Sequence, residues 1–316
     1  MKIIHDTDKL PPELQAGAIS IGNFDGVHRG HAVIAQRVCK VAKEIDGPSI
    51  IVTFSPHPLH ILSPKKAPLP LVWTERKAEL LATQGIACLC VLQVTKKFLD
   101  LTPQEFFDRI VLQRLAAAAI VEGPNFHFGK SRSGTIDVLQ NLSRRAQVRS
   151  EIVEPITINT SGTFVSSSKI RQLLLEGQVE QANRLLTRPH RLRGKVSQGA
   201  GRGAELGFPT ANLEQIEVLV PAGGVYAGIV RIAGKRSLAA VHIGPNPTFE
   251  ETDHKVEIHL LDHSSDLYDQ WLEVDILARV RETRSFATVA ELQSQLARDV
   301  AKCREYANSQ FTDVEK

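Results

Sequence analysis

Ala18-Ile19-Ser20-Ile21-Gly22-Asn23-Phe24-Asp25-Gly26-Val27-His28-Arg29-Gly30-His31 is the stretch whose reading decides the fold. Its apolar first part, residues 18–23, ends in a glycine-containing turn, as a buried strand does at its exit. Residues 31–45 then carry Ile34, Val38, Val41, Ala42 and Ile45 at helical spacing. Working outward, strand-like runs recur at 49–54, 87–94, 117–121 and 148–156. Helical segments lie between them, from Thr74 to a stop at Gly85, from Thr102 through Leu115, and over 135–146. The Thr102 start is well marked: Thr102-Pro103-Gln104-Glu105 combines a capping box with proline at the first helical position. Buried strands regularly separated by helices predict a parallel, doubly wound α/β sheet.

Two short helices, 167–176 and 179–186, close this half, and the pattern changes near residue 187. Segments 224–232 and 237–243 flank Ala233-Gly234-Lys235-Arg236 as a hairpin would. Segments 256–261 and 272–280 alternate apolar and polar residues. Alternation over several short strands predicts an antiparallel β-barrel. A final helix follows the capping box Thr288-Val289-Ala290-Glu291, with Leu292, Leu296, Val300 and Cys303 as its apolar stripe. The expected domains are residues 1–186 and 187–316.

Composition narrows the function. Of 316 residues, 42% are hydrophobic and 23% charged, the balance of an ordinary globular protein. A net charge of +3 suits small anionic ligands, and the absence of a Lys/Arg block argues against nucleic acid as a partner. Cys39, Cys88, Cys90 and Cys303 form no Cys-x-x-Cys pair and read as reduced thiols of a cytoplasmic protein. The N-terminus is charged too early for a signal peptide, and no apolar window is long enough to span a membrane. No stripe in the sequence speaks to oligomeric state.

The chemistry begins in residues 22–31. In an open parallel sheet, ligands bind at the C-terminal ends of the strands. Glycines there let backbone amides approach a phosphate, and the following helix N-terminus adds partial positive charge. His28 and His31 are three apart, so both imidazoles face the same side of the first turn and can donate to phosphoryl oxygens. The same His-x-x-His spacing could serve a metal, but no third His or carboxylate is placed to complete such a site. His28-Arg29-Gly30-His31 resembles the motif of the His-x-Gly-His nucleotidylyltransferases, and its surroundings resemble the bacterial bifunctional riboflavin kinase/FAD synthetases. The resemblance implies a Rossmann-like first domain in which His28 and His31 meet ATP phosphates. It also implies that Gly22, Asn23, Phe24, Asp25, Gly26 and Gly30 line the nucleotide pocket.

Two further blocks fit the resemblance. Ser166, Ser167, Ser168, Lys169 and Arg171 form a hydroxyl-rich helix start. Read alone, it is a serine cap with a solvated basic face. The family places a similar Ser-Ser-Thr-Arg-Ile-Arg motif on the triphosphate, which implies that Arg171 acts in catalysis. Residues 123–134 form a polar loop in which Phe126 and Phe128 either hold a flat heterocycle or pin the loop to the core. By resemblance, Asn125, Phe126, Phe128 and Gly129 belong to the flavin and nucleotide cleft, Asn125 and His127 standing where Asp and Arg are commoner. Phe54-Ser55-Pro56-His57-Pro58 also matches a family turn.

The second half has its own glycine-rich stretch, residues 193–212. It lacks the Gly-Lys-Ser/Thr of a P-loop. Gly207-Phe208-Pro209-Thr210-Ala211-Asn212 resembles the riboflavin kinase signature. This implies Gly194, Gly199, Gly207, Pro209, Thr210 and Asn212 as nucleotide contacts, with Thr210 and Asn212 oxygens on Mg²⁺. Glu257, by itself an outward residue on an alternating strand, matches the family's catalytic Glu. Arg279, Arg281 and Phe286 match its flavin site. His242 and Asn246 depart from the family pattern.

The expectation is therefore an enzyme that phosphorylates riboflavin to FMN and adenylylates FMN to FAD, with ATP and Mg²⁺. An adenylyltransferase whose second domain only binds flavin is one alternative, motivated by His242 and Asn246. A flavin-binding or sensing protein without turnover is the other.

Overall fold

The four central strands of the first half, within residues 18–21, 49–55, 88–93 and 119–122, are buried from both faces, which is why they read as continuous apolar runs. The computed structural model describes all residues except 7, 155–156, 159–162, 200, 233, 246–254, 262–266 and 312–316. The described residues form two compact units, Met1–Pro68 with Val72–Ser166, and Leu69–Leu71 with Ser167–Lys316.

In the first unit, β1 (Lys2–His5), β2 (Ala18–Ile21), β3 (Ser49–Ser55), β4 (Cys88–Gln93), β5 (Ala119–Glu122) and β6 (Arg149–Ile152) pair in parallel in the order β1-β4-β3-β2-β5-β6. The helices are α1 (Arg29–Glu44), α2 (Pro58–Leu62), α3 (Thr74–Thr83), α4 (Lys96–Leu99), α5 (Pro103–Phe106) and α6 (Ile136–Arg145). Strand alternation divides the core in two. Ile19, Ile21, Ile50 and Val52 pack with Phe106, Phe107 and Leu139 on one face. Ala18, Ile51 and Leu89 pack with Ala35, Val38 and Leu81 on the other. The sheet is thus doubly wound. The chain moves outward from β2 through β3 to β4 on one side and from β5 to β6 on the other. The switch point therefore lies between β2 and β5.

The Thr102 capping box forms as expected, but the helix it starts does not stay α-helical to Leu115. Phe107–Arg114 is wound as a π-helix, with Leu115 N–H donating to Ile110 O. In a straight α-helix Leu115 would lie about half a turn from Phe106. The wider winding returns it to the buried face, where both contribute to one cluster. A small hairpin, β7 (Thr157–Ile158) and β8 (Thr163–Phe164), ends this half.

The second unit holds α7 (Ser167–Leu175), α8 (Val179–Leu185), β9 (His190–Ser197), α9 (Arg202–Glu205), β10 (Ala211–Glu214), β11 (Gly224–Ile232), β12 (Lys235–Gly244), β13 (Lys255–Leu260), β14 (Trp271–Arg281) and α10 (Val289–Phe311). The six strands close an antiparallel barrel in the order β10-β13-β12-β11-β14-β9. Alternate residues such as Val241, Ile258, Val274 and Ile276 are buried. Helices α7 and α8 belong to this unit: Asn183 Nδ2 donates to Ile276 O and Leu277 O. The chain therefore passes for the last time from the first compact unit to the second at 166/167. On α10 the fully buried line is Gln295, Asp299 and Cys303, while the expected stripe residues Leu292, Leu296 and Val300 border a cavity.

Candidate functional site

Residues 22–31 leave the C-terminal end of β2 at the switch point and enter α1. The backbone turns back sharply there, with positive φ at Phe24 (44°), Gly26 (81°) and Val27 (41°). Phe24 and Val27 hold this costly conformation by burying their side chains. His28 caps α1: its Nδ1 accepts from His31 N–H at 3.2 Å, so its neutral form carries the proton on Nε2. The two imidazoles stack with centroids 3.6 Å apart and planes 14° from parallel. Burial pushes the pKa of His28 down to about 4. Burial, followed by the charges of His28 and Lys77, holds His31 well below the usual range. At neutral pH both are therefore uncharged N–H donors beside a helix N-terminus.

Two residues not picked out in the sequence complete this end of the sheet. Lys77, 8% exposed, donates from Nζ to Asn23 O at 2.8 Å and to Thr53 Oγ1 at 3.1 Å. Burial lowers its pKa to about 8, against the attraction of Asp25. Its signal was position: three and four residues before Leu80 and Leu81, it lies on the apolar face of α3. Glu122, at the end of β5, accepts from Ile21 N–H at 2.6 Å and Ser20 Oγ at 3.4 Å, tying β5 to β2. Burial raises its pKa well above the carboxylate range.

The loop after β5 leaves the same edge. Asn125 is exposed, and Phe126 stacks on Phe128 at 5.4 Å. Phe128 is 5% exposed and tilts against Phe106, so the ring pins the loop to the core. Gly129 has φ 72° and sits where a Cβ would approach Pro103 N to 2.8 Å. Of the serine-rich block, Ser166 ends the first unit, while Ser167, Ser168, Lys169 and Arg171 lie on α7 of the second. Arg171 Nε donates to Leu69 O at 3.0 Å.

In the second unit a cavity of about 220 Å³ is bordered by the outer barrel wall, by Gly201, Gly203, Leu206 and Phe208 of the glycine-rich stretch, and by α10. Strand register places one row across the wall. Arg281 opposes Val225, Val225 opposes His242, His242 opposes Glu257, Glu257 opposes Asn212, and Asn212 opposes Ser197. Directly opposed residues share a face, and all of these except Ser197 border the cavity. Gly199, Pro209, Thr210 and Phe286 border it too. A Cβ at Gly199 would collide with the Asn212 side chain. Arg281 is held by buried Asp299, and its guanidinium lies 5.7 Å from the Phe286 ring. Burial, with Arg281 nearby, pushes the His242 pKa down to about 4, and its buried Nδ1 has no hydrogen-bond partner among the described residues.

Three expected residues do not border this cavity. Gly194 lies inside β9, where a Cβ would come 2.7 Å from Glu214 O, so it serves strand packing. Gly207 forms a turn with φ 85°. Arg279 packs on Gly177 and donates to Gly223 O. Asn246 lies outside the described residues. Among the described residues no three His, Cys, Asp or Glu side chains cluster as metal ligands.

A family model for FAD synthetase matches residues 10–169, and one for riboflavin kinase matches residues 186–307. A bifunctional riboflavin kinase/FMN adenylyltransferase of Pseudomonas fluorescens is 35% identical over 308 residues, covering 97% of this chain and 98% of the relative. The enzyme of the same description from Escherichia coli (strain K12) is 32% identical with the same coverage. A crystal structure described as a macrolide-efflux protein from Streptococcus pneumoniae aligns with a TM-score of 0.86 at 30% identity, over 96% of this chain and 99% of that one. Efflux is said of that protein alone. Among the described residues here, no helix is long and apolar enough to cross a membrane. With both halves matched in order and relatives aligned over nearly their full length, this chain belongs to the bifunctional riboflavin kinase/FMN adenylyltransferase family.

Proposed function

We propose that this chain is a transferase catalysing two ATP-dependent steps of flavin cofactor synthesis, riboflavin to FMN and FMN to FAD. The observation that carries the reading is the presence of both family halves in one chain, FAD synthetase then riboflavin kinase. We assign adenylyl transfer to residues 1–186, kinase activity to residues 187–316, and the work to the cytoplasm.

In adenylyl transfer, an oxygen of the FMN phosphate attacks the α-phosphorus of ATP and pyrophosphate leaves. The attacking oxygen is already ionised, so the protein's task is alignment and charge stabilisation. His28 and His31 supply neutral N–H groups, and the α1 N-terminus supplies backbone donors. Ser166, Ser167, Ser168, Lys169 and Arg171 are our candidates for the remaining triphosphate contacts. Asn125, Phe126, Phe128 and Gly129 are candidates on the acceptor side, with Phe128 acting from the core.

In the kinase reaction, Glu257 takes the proton of the riboflavin 5′-hydroxyl as the γ-phosphoryl group moves to it. Thr210 and Asn212 offer two neutral oxygens, a set that fits Mg²⁺ completed by phosphate oxygens and water. When bound, the ion supplies charge neutralisation on the phosphates. Arg281 and Phe286 present a cation and a ring to the flavin.

The test is product analysis after adding riboflavin and Mg-ATP. FMN should appear first and FAD after it. His28→Ala and His31→Ala should stop FAD formation and spare FMN formation; Glu257→Gln should do the reverse with supplied FMN. If His28→Ala in a folded protein abolished both, the two-site reading would fail. His242, opposite Glu257 with a buried unpartnered nitrogen, favours a second reading in which the kinase half binds flavin with little turnover. In that case no FMN would form.

A further inference from the structure

Lys77 sits beneath the phosphate-facing turn at a cost that the fold does not require. Its ammonium is buried, and a charged amine loses most of its hydration there. It bonds Asn23 O at 2.8 Å and Thr53 Oγ1 at 3.1 Å. Yet Thr53 Oγ1 already donates to Asn23 O at 3.0 Å, so that carbonyl would be satisfied without the lysine. Thr53 would likewise keep its one donated bond. Removing the ammonium therefore leaves the hydrogen bond between Thr53 and Asn23 in place, and what it takes away is a positive charge facing the buried Asp25.

Other features at this position point to a ligand. Asn23 Oδ1 and His31 Nδ1 are buried with no hydrogen-bond partner among the described residues. Buried polar groups of this kind call for a partner, a water or a ligand, that the protein itself does not supply. The turn above is held with positive φ at Phe24 and Val27. With the Asn23 carbonyl turned toward Lys77 and Thr53, the N–H of the same planar peptide unit, that of Phe24, points the opposite way. The positive charge also reaches the imidazole of His31, where it favours the uncharged form, and faces the charge of Asp25.

We infer that Lys77 is a positioning residue for adenylyl transfer: through the Asn23 carbonyl it fixes the turn of residues 22–27 in its phosphate-receiving shape and places a cation behind it. This rests on adenylyl transfer occurring at residues 22–31, as proposed above. Lys77 touches no reacting atom. It acts through Asn23 and through the field at His31.

The test compares the full-length chain with Lys77→Met and Lys77→Gln. FAD formation from FMN and Mg-ATP, FMN formation from riboflavin, and the thermal midpoint are measured for each. Lys77→Met is expected to lower kcat for FAD formation by ~10²-fold, the scale of losing one preorganised electrostatic group. FMN formation should not fall, and the midpoint should stay well above the assay temperature. Lys77→Gln keeps a donor for Asn23 O without the charge and should recover part of the loss. FAD formation by Lys77→Met equal to that of the unsubstituted chain overturns the inference, as does a loss wholly explained by a lower midpoint. If the unsubstituted chain makes no FAD, the proposed function itself falls and takes this inference with it.

Discussion

Asp299→Asn tests how the cavity of the second unit is held in shape. Asp299 is 1% exposed and receives Arg281 Nε at 3.0 and 2.9 Å and Nη2 at 2.8 Å. Gln295 Nε2 donates to its Oδ1 at 2.8 Å. Asparagine keeps the shape and an acceptor for Gln295 but removes the charge, leaving the guanidinium without its counter-ion. Breaking a buried pair at one partner costs about 3–5 kcal/mol. The Arg281 side chain is 18% exposed and keeps its bond from Nη1 to Glu282 O at 2.9 Å. The low end, about 3 kcal/mol, is therefore expected. For a unit of this size, each kcal/mol moves the midpoint by about 2–4 °C, so the unit should melt about 6–12 °C earlier. Calorimetry reads the shift. Below that temperature, FMN formation should show a raised KM for riboflavin, because Arg281 and Phe286 lose their fixed places. FAD formation from supplied FMN should be unaffected. A midpoint within about 2 °C of the parent, with FMN formation unchanged, would refute the reasoning.

Three further outcomes can be measured directly. His190 is buried, its pKa pushed down to about 4, with Nε2 2.7 Å from Leu219 O. The unfolded chain binds more protons than the folded one between pH 6.5 and 4, so stability falls as pH drops through that window. His190 accounts for about 2 kcal/mol between pH 7 and 5. Urea titrations of His190→Gln at the two pH values should lack that part of the acid loss. Gly129→Ala forces a side chain into a left-handed conformation against the Pro103 backbone. It should cost about 2–4 kcal/mol and lower FAD formation by shifting the loop that carries Asn125. Thr102→Ala removes the side chain that accepts from Glu105 N–H at 3.2 Å. A loss of about 1 kcal/mol is expected by chemical denaturation, with both activities intact.

The parts of this architecture set by local physics were readable in the chain. The strand 18–21, its glycine turn and α1 followed from an apolar run meeting helical spacing, and the alternation of β13 and β14 followed from one buried face. The order β1-β4-β3-β2-β5-β6 and the barrel closure depend on pairings far apart in sequence, which no local pattern encodes. Lys77 and Asp299 were missed for a shared reason: a charge on a helix is read as solvated, and only the packed neighbours show it to be inside. Phe128 had two readings in sequence, and its contact with Phe106 selects the core. The uncharged state of His28 and His31 arises from burial, which spacing does not reveal.

The row of opposed residues on the barrel wall has an evolutionary consequence. Each of six strands contributes one side chain at the same level, while the alternate positions, such as Val241 and Ile258, fill the barrel's interior. The chemistry of the cavity and the interior packing of the barrel are therefore written on different residues of the same strands. A rung such as His242 can be exchanged without repacking the interior that keeps the barrel closed, whereas Arg281 is tied to the buried Asp299. Selection can retune the site in single steps, and the scaffold pays little for each attempt.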